Sequence, residues 1–397
     1  MQRVFLITAL RTPIALRRGG LSHIRPEVFA ASVVRELLHR TNIPAASLDG
    51  VFAGNAVGTG GNIARLMSLL TGIPSSVPAV TIDMQCASAA ASISLAFAKI
   101  AAGQGDCYLA GGMESVSLQP ARTYAAGDPR RAQLAATGGT YYTAELAPGD
   151  LRQDAMLWGA ERVMEQEHVT RAKLDRWVLE SHHRAAAAAK AGVFRKWLLP
   201  IEGCIRDEGI RPRMNQRLLD RLPPVLGAGT LLTAANACRT NDGAAFVLLA
   251  SERFVREYHL APALEILATA AAGVNPEESP RGAMATAEKL LTQQHVAWTD
   301  LAAIEFNEAF AVIDVLLERA HPEVMARYNV HGGALAYGHP YGASGAILAI
   351  QLLAALREHP GLGLLSIAGA GGLGEAVLVR SCPYGSLSEG AVTRMGD

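Results

Sequence analysis

The stretch Val80–Ser88, Val-Thr-Ile-Asp-Met-Gln-Cys-Ala-Ser, carries a candidate nucleophile between a predicted strand and a predicted helix. Its first residues have the apolar, β-branched pattern of a strand. Residues Ala87–Ala101 are almost all small or aliphatic, with neither Gly nor Pro, which predicts a buried helix. Cys86 then lies at a helix N-terminus, where free amides and the helix dipole favour thiolate and can bind an anion. Such a thiol suits acyl transfer, and the alternative is a buried structural cysteine.

The composition sets limits on the classes of protein to consider. The 397 residues, half of them hydrophobic, are enough for two or three cores. Lys and Arg together number 36, as do Asp and Glu, so the charge balance does not point to nucleic acid or to an anionic membrane surface. No apolar run is long enough to span a membrane, and the N-terminal run is too short for a signal peptide.

The cysteines favour a reducing compartment. Their number is odd, and no pair has zinc-site spacing or forms a CxxC motif, so we expect no metal site and a cytoplasmic location. The five positions are Cys86, Cys107, Cys204, Cys238 and Cys382.

Strand and helix patterns alternate along both ends of the chain, which predicts a mostly parallel sheet covered on both faces. The predicted strands are Val4–Ala9, Val51–Val57, Val80–Met84, Cys107–Ala110, Ala244–Leu249, Ala303–Phe306, Leu364–Ala368 and Ala376–Arg380. The predicted helices include Pro26–His39, Asn62–Leu70, Arg171–Ala191 and Ala343–Leu356.

The order of elements is repeated. Each half has a reactive residue, a helix of small residues, a turn, a strand and a Gly-Gly loop, which indicates a two-fold internal repeat. A segment richer in charge, Pro and Tyr interrupts the first half. We therefore predict one half formed by residues 1–118 plus 240–265, an inserted domain at 119–239, and a second half at 266–397. The repeat would place Cys86 and His339 at equivalent ends of two similar sheets, facing one cleft.

Two further residues are candidates for chemistry. His339 lies between Gly338 and Pro340, which restrains its backbone. Beside a cysteine it could deprotonate the thiol or hydrogen-bond a thioester oxygen, or it could be a loop histidine without chemistry. Asn307 follows a predicted strand, where it could orient a water or a substrate oxygen, or could be an ordinary turn residue.

Two motif matches are rejected. Gly369–Gly374 satisfies GxGxxG, but a strand pattern follows it where a dinucleotide site needs a helix. We read it as a hairpin whose amides face the cleft. Gly342–Ala346 is similar to a nucleophile elbow but has Ala346 where the second glycine belongs, which disfavours a serine hydrolase.

Together these motifs resemble the thiolase family, the acyl-CoA C-acyltransferases, over nearly the whole chain. The motifs are Arg11–Pro13, Cys86–Ser88, Gly111–Ser115, Gly229–Gly243, Asn307–Ala311, Gly338–Pro340 and Gly371–Gly374. The resemblance implies an α/β thiolase fold. In that fold two βαβαβαββ halves form five layers, α/β/α/β/α, and an inserted loop domain holds coenzyme A.

The resemblance also implies roles for residues. Cys86 is expected to be the acylated nucleophile, and His339 its base. With a water held by Asn307, His339 would form one oxyanion hole, and the backbone amides of Cys86 and Ala370 a second. Contacts to substrate or coenzyme A would fall on Met156, Ala234, Cys238, Ala309 and Phe310. Acyl-CoA substrates, no permanently bound cofactor, and homodimers or homotetramers are expected.

The chain departs from the family pattern at several positions. The family usually has a second cysteine, the acid/base for the α-carbon, where this chain has Ala368. Cys238 replaces a serine that contacts coenzyme A, and Arg239 after it replaces a small residue. Other departures are Ala89 for Gly, Ala155 for His and His331 for Asn.

Three functions remain open at this point. The first is a working thiolase, in which another group or a water replaces the missing cysteine. The second is a thiolase-like acyltransferase or thioesterase that forms acyl-Cys86 without efficient condensation. The third is a non-catalytic acyl-CoA-binding subunit, which the presence of Cys86, Asn307 and His339 argues against. The full-length resemblance favours the first.

Overall fold

A computed structural model describes residues 2–58 and 60–382. Residues 383–397 of the predicted second half therefore lie outside the described part. The strands are β1 Val4–Arg11, β2 Ala15–Leu16, β3 Gly50–Gly54, β4 Ala79–Ile82, β5 Cys107–Glu114, β6 Arg122–Thr123, β7 Thr140–Tyr141, β8 Asn241–Ser251, β9 Leu264–Gly273, β10 Leu301–Phe306, β11 Leu362–Gly369 and β12 Leu373–Ser381.

The α-helices include the predicted Arg171–Ala191 with unchanged bounds. They are α1 Pro26–Thr41, α2 Ile63–Thr71, α3 Ser88–Ala101, α4 Arg130–Gln133, α5 Ala155–Gln166, α6 Arg171–Ala191, α7 Gln216–Leu219, α8 Glu252–Glu257, α9 Gly282–Gln294, α10 Ala311–Ala320, α11 Ala334–Tyr337 and α12 Ser344–Glu358. None of the helices in the described ranges is long and apolar enough to cross a bilayer.

The strand order repeats between the two halves. The first half runs β4-β3-β5-β8-β1 and the second runs β10-β11-β12-β9 from the opposite edge. They join where β1 pairs with β9, with Val4 opposite Ile266. In the first half β4 pairs with the outer side of β3. In the second half an isolated parallel bridge from Tyr328 to Ile304 of β10 takes the corresponding place. The predicted two-fold repeat is thus visible in the sheet itself.

The expectation of a mostly parallel sheet is wrong. Among the strand pairs of this sheet in residues 2–58 and 60–382, only β3–β4, β3–β5 and β10–β11 are parallel, whereas β5–β8, β8–β1, β1–β9, β9–β12 and β12–β11 are antiparallel. The reason is clearest at β11 and β12, which the short turn Ala370–Gly372 joins without a crossover helix. A parallel pair requires a long crossover, and a tight hairpin produces an antiparallel pair.

The five layers of helices and strands enclose three cores, because the two inner helices and the strand faces on both sides of them share one core. Alternate residues of β1 face opposite sides, because strand side chains alternate. Phe5 packs in the outer core with α1 and α2, and Leu6 packs in the central core with α3 and α12. A third core lies between the second half of the sheet and an outer layer that includes α9 and α10.

The two central helices meet near their N-termini. A Cβ placed on Gly345, at the start of α12, would lie 2.2 Å from the backbone nitrogen of Ala90 in α3. The loop before α12 also lies on the first half of the sheet, since a Cβ on Gly112 would meet the carbonyl oxygen of Gly342. This close packing brings the segment after His339 to the segment after Cys86.

Candidate active site

A tight turn presents Cys86 at the N-terminus of α3. The backbone amide of Gln85 donates to Asp83 Oδ1 at 2.9 Å, and the residue has a left-handed φ of 53°. The hydroxyl of Ser88 accepts from the amide of Met84 at 2.8 Å and donates to the carbonyl of Gln85 at 2.5 Å. A left-handed non-glycine residue is uncommon and is held only where its surroundings fix it.

The backbone amides of Cys86 and Ala370 both lie near the Cys86 sulfur, where they favour the thiolate and act to lower its pKa. These are the two amides that the sequence analysis assigns to an oxyanion hole. Ala370 belongs to the turn between β11 and β12, which is therefore a hairpin that presents amides to the cleft. An anion that forms at Cys86 would meet two donors that are already in place.

The acidity expected of Cys86 is not found. Burial raises the pKa of the Cys86 thiol to about 12, and the two amides only partly oppose it. Nearby negative charge on Glu114 raises it further. The helix N-terminus therefore does not by itself produce a resting thiolate, because desolvation of the charged form outweighs it. The thiol needs a base.

His339 is a buried, neutral imidazole. Burial lowers its pKa to about 3, so the ring is uncharged near neutral pH. Its Nε2 lies 3.3 Å from Asn307 Nδ2, which can only donate, so Nε2 is the acceptor. Its Nδ1 lies 2.6 Å from Ser344 Oγ, which itself donates to the carbonyl of Pro340. These partners place the proton on Nδ1 and leave Nε2 unprotonated, with its lone pair accepting from Asn307.

The backbone around His339 is fixed by the first half of the chain. Its amide lies 3.1 Å from Asn241 Oδ1 and 3.0 Å from the carbonyl of Arg239. Gly338 has a φ of 102°, and a Cβ there would lie 2.0 Å from Asn241 Oδ1. Only glycine permits this close approach.

Glu114 joins the two halves beside the nucleophile. Its carboxylate accepts bonds from Asn55 Nδ2 and from the amides of Ala56, Val57 and Gly342, at 2.8 to 3.3 Å. Burial raises its pKa to about 7. Because Gly342 follows His339 closely in sequence, these bonds hold the histidine loop against the first half.

Ser344 and Tyr341 also lie at the site, although no sequence motif assigned either of them a role. Tyr341 packs edge-on against the His339 ring, with ring centroids 5.0 Å apart. Burial raises the pKa of Tyr341, and negative charge on Cys238 or Cys86 acts in the same direction. The internal repeat offered a signal for Ser344, because Ser88 and Ser344 are both first residues of the paired helices α3 and α12.

The residues predicted to contact substrate or coenzyme A do not all line one cavity. Ala234 and Cys238 line an open cleft of about 510 Å³, to which α5 contributes Leu157. Met156, the neighbouring residue of α5, lines a separate recess beside Pro276. Ala309 and Phe310 lie against the segment that lines this cleft. The carbonyl of Ala309 accepts from the amide of Cys238 at 2.8 Å, and Phe310 forms an isolated bridge with Ala237.

His331 is not at this site. Its Nε2 lies 3.6 Å from Glu358 Oε1, at the C-terminal end of α12. Ser344 is at the other end, and a rise of about 1.5 Å per residue puts the two ends roughly 20 Å apart. His331 therefore does not supply a base at Cys86.

The chain matches two family profiles over most of its length. The profile described as "Thiolase, N-terminal domain" matches residues 4–253, and "Thiolase, C-terminal domain" matches residues 260–381. Among curated relatives, the beta-ketoadipyl-CoA thiolase of Pseudomonas putida is 36% identical over 380 residues, covering 91% of this chain and 94% of the relative. The 3-oxoadipyl-CoA/3-oxo-5,6-dehydrosuberyl-CoA thiolase of Escherichia coli is 34% identical over 379 residues, with the same coverage.

Solved structures give the same result. Human mitochondrial 3-ketoacyl-CoA thiolase is 28% identical, with a TM-score of 0.86 over 96% of this chain and 99% of that one. The Acat5 thiolase of Ascaris suum in complex with coenzyme A is 32% identical, with a TM-score of 0.86 over 96% of this chain and 100% of that one. The chain therefore belongs to the thiolase family and is an acyl-CoA C-acyltransferase.

Proposed function

We propose that this acyltransferase works through an acyl-Cys86 intermediate, with coenzyme A and acyl-CoA as substrates. It would cleave 3-ketoacyl-CoA by thiolysis or form it by Claisen condensation. The observation that carries the proposal is that the backbone amides of Cys86 and Ala370 lie together beside the Cys86 sulfur, at the N-terminus of α3. A thioester oxygen bound there would have its negative charge stabilised as it develops.

His339 is the proposed base for the Cys86 thiol. A thiol with a raised pKa attacks only as its proton leaves, and a neutral imidazole with an unprotonated Nε2 can take that proton once the bond from Asn307 to Nε2 opens. Asn307 donates to the same nitrogen and orients the ring. We also include in this proposal the oxyanion hole formed by His339 together with a water held by Asn307.

The proposed binding site for coenzyme A is the cleft beside Cys238. It is lined by Ala234, Thr233, Leu157 and two exposed arginines, Arg17 and Arg211, whose charge suits a phosphorylated ligand. Most of these residues belong to the segment 119–239, which supports our assignment of that segment as the coenzyme A domain between the two thiolase halves.

We also propose a cytoplasmic homodimer or homotetramer. Strand β4 is a free edge of the sheet, and it carries the exposed Val80 beside Leu66 and Leu69 of α2. An apolar free edge of this kind favours pairing with a second chain. All five cysteines are free, which suits a reducing compartment.

Acyl exchange tests the proposal. The native protein should exchange label between free coenzyme A and acetyl-CoA without any second acyl acceptor, because acyl-Cys86 forms reversibly. The variant Cys86→Ala should lose the exchange, and Cys107→Ala, a change at a buried cysteine in β5, should keep it. Exchange that survives in Cys86→Ala would refute the intermediate.

A further inference from the structure

Ala368 leaves the condensation step without its usual acid/base group. Removing a proton from the α-carbon of a thioester needs a base within hydrogen-bond reach. Ala368 is buried near the end of β11, opposite Gly374 of β12, and has no group that can take a proton. A working thiolase must therefore place that group elsewhere in the cleft.

The carboxylates whose charges act on Cys86 are poorly placed for this role. They belong to Glu114 and Asp83. Glu114 already accepts four hydrogen bonds, from three backbone amides and Asn55. Asp83 is exposed and accepts from the amide and the side chain of Gln85.

Cys238 is held between the two catalytic segments. Its amide donates to the carbonyl of Ala309, in the loop that begins at Asn307, at 2.8 Å. The next carbonyl, that of Arg239, accepts from the amide of His339 at 3.0 Å. The thiol is free and partly exposed, lines the cleft, and lies near enough to Cys86 for the two charges to interact.

Arg239 supplies a positive charge beside this thiol. Its Nη2 donates to the carbonyls of Gly209 and Ala336, its Nε has no hydrogen-bond partner, and no carboxylate within residues 2–58 and 60–382 pairs with it. Burial raises the pKa of Cys238 most, and negative charge on Cys86 raises it further. The Arg239 guanidinium acts in the opposite direction and lowers this pKa. An unneutralised cation stabilises a thiolate that forms next to it.

We propose that Cys238 is the second acid/base residue of this enzyme and performs the proton transfers that Ala368 cannot. The assignment rests on the acyl-Cys86 intermediate proposed above. The resemblance implies a serine that contacts coenzyme A at this position, and a cysteine adds a group that can release and recover a proton at the same place.

The proton transfers balance over two steps. First, His339 takes the Cys86 proton, the sulfur bonds to the acetyl carbon, and the bond to coenzyme A breaks. The departing coenzyme A thiolate takes the proton of Cys238. Second, the Cys238 thiolate removes the α-proton of another acetyl-CoA, and the resulting carbanion bonds to the acetyl carbon on Cys86. The bond from that carbon to Cys86 breaks, and the Cys86 thiolate recovers its proton from His339.

Deuterium exchange separates the role of Cys238 from that of Cys86. The native protein in D₂O with acetyl-CoA should acylate Cys86 and incorporate deuterium into the acetyl methyl group. Cys238→Ser keeps a side chain that can contact coenzyme A but is too weak an acid to serve. Exchange and acetoacetyl-CoA formation should fall by roughly 10²–10⁴-fold, and the loss of exchange should exceed any loss of acylation by at least about tenfold. The double variant Cys238→Ser/Ala368→Cys should regain at least about tenfold in exchange.

Each of the other possible outcomes would contradict a stated part of the proposal. Exchange within about threefold of native in both Cys238→Ser and Cys238→Ala would overturn the proposal. An equal loss of acylation and exchange in Cys238→Ser would also overturn it, because that pattern indicates a binding or structural role. A native protein that acylates but never exchanges deuterium would refute the role of Cys238 alone, and one that does not acylate would refute acyl-Cys86 as well.

Discussion

Replacing Ser344 with alanine tests whether His339 works as a neutral imidazole with its proton fixed on Nδ1. The Ser344 hydroxyl accepts from Nδ1 at 2.6 Å and donates to the carbonyl of Pro340 at 3.1 Å. Without it, the buried Nδ1–H has lost its partner, while Nε2 still faces the Asn307 amide. The tautomer with the proton on Nε2 then becomes competitive, and that tautomer cannot take a proton from Cys86.

The expected loss follows from the hydrogen bond removed. A buried donor left without a partner costs about 1–3 kcal/mol. At about 1.36 kcal/mol for each factor of ten, acylation of Cys86 should slow by roughly 5- to 150-fold in Ser344→Ala. Single-turnover release of coenzyme A from acetyl-CoA measures this step directly.

Ser92→Ala is the matched control. Ser92 is a buried serine of α3 whose hydroxyl bonds to the backbone of Ala89 and Gly111 at 2.7 to 3.0 Å, with no contact to His339. It should lose stability in urea unfolding and keep the native acylation rate. Acylation by Ser344→Ala within about twofold of native, or equal slowing in Ser92→Ala, would refute the reasoning about the tautomer.

Two further predictions concern stability. Gly345→Ala should lower the free energy of unfolding by about 1–3 kcal/mol, because its Cβ would lie 2.2 Å from the Ala90 nitrogen. Urea unfolding measures this loss, and the control is Gly127→Ala, whose Cβ would meet nothing within 4 Å. Stability should fall as pH drops from about 6.5 to 4, because burial lowers the pKa of His182 to about 4 and the unfolded chain then binds the extra proton. His182→Asn, which keeps an acceptor for the Arg211 amide, should lessen that slope, and an unchanged slope would contradict the assignment.

Local patterns predicted the parts of the fold that depend on neighbouring residues. The strand and helix around Cys86 follow from apolar and small-residue runs, and α3 begins at Ser88, one residue after the predicted start. The strand before it, predicted over Val80–Met84, ends at Ile82 because Asp83 and Gln85 form the turn. Motif order also predicted the repeat, since matching elements give matching strand order in the two halves.

The electrostatics of the site could not be read from the same patterns. The helix N-terminus at Cys86 was visible, whereas the burial that raises its pKa depends on distant residues packing over it. Cys238 lies far from Cys86 in sequence, so only the folded chain shows that the two thiols interact. Sheet direction was missed for a related reason, because the pattern of single strands does not show which strands become neighbours.

The central claim, that acyl transfer passes through Cys86, is tested most directly by mass spectrometry. The protein is incubated with acetyl-CoA, quenched in acid, and its intact mass and peptides are measured beside Cys86→Ala. A single acetyl group is expected, located on the peptide that contains Cys86 and absent from the variant. An acetyl group on another cysteine, or one that persists in Cys86→Ala, would contradict it.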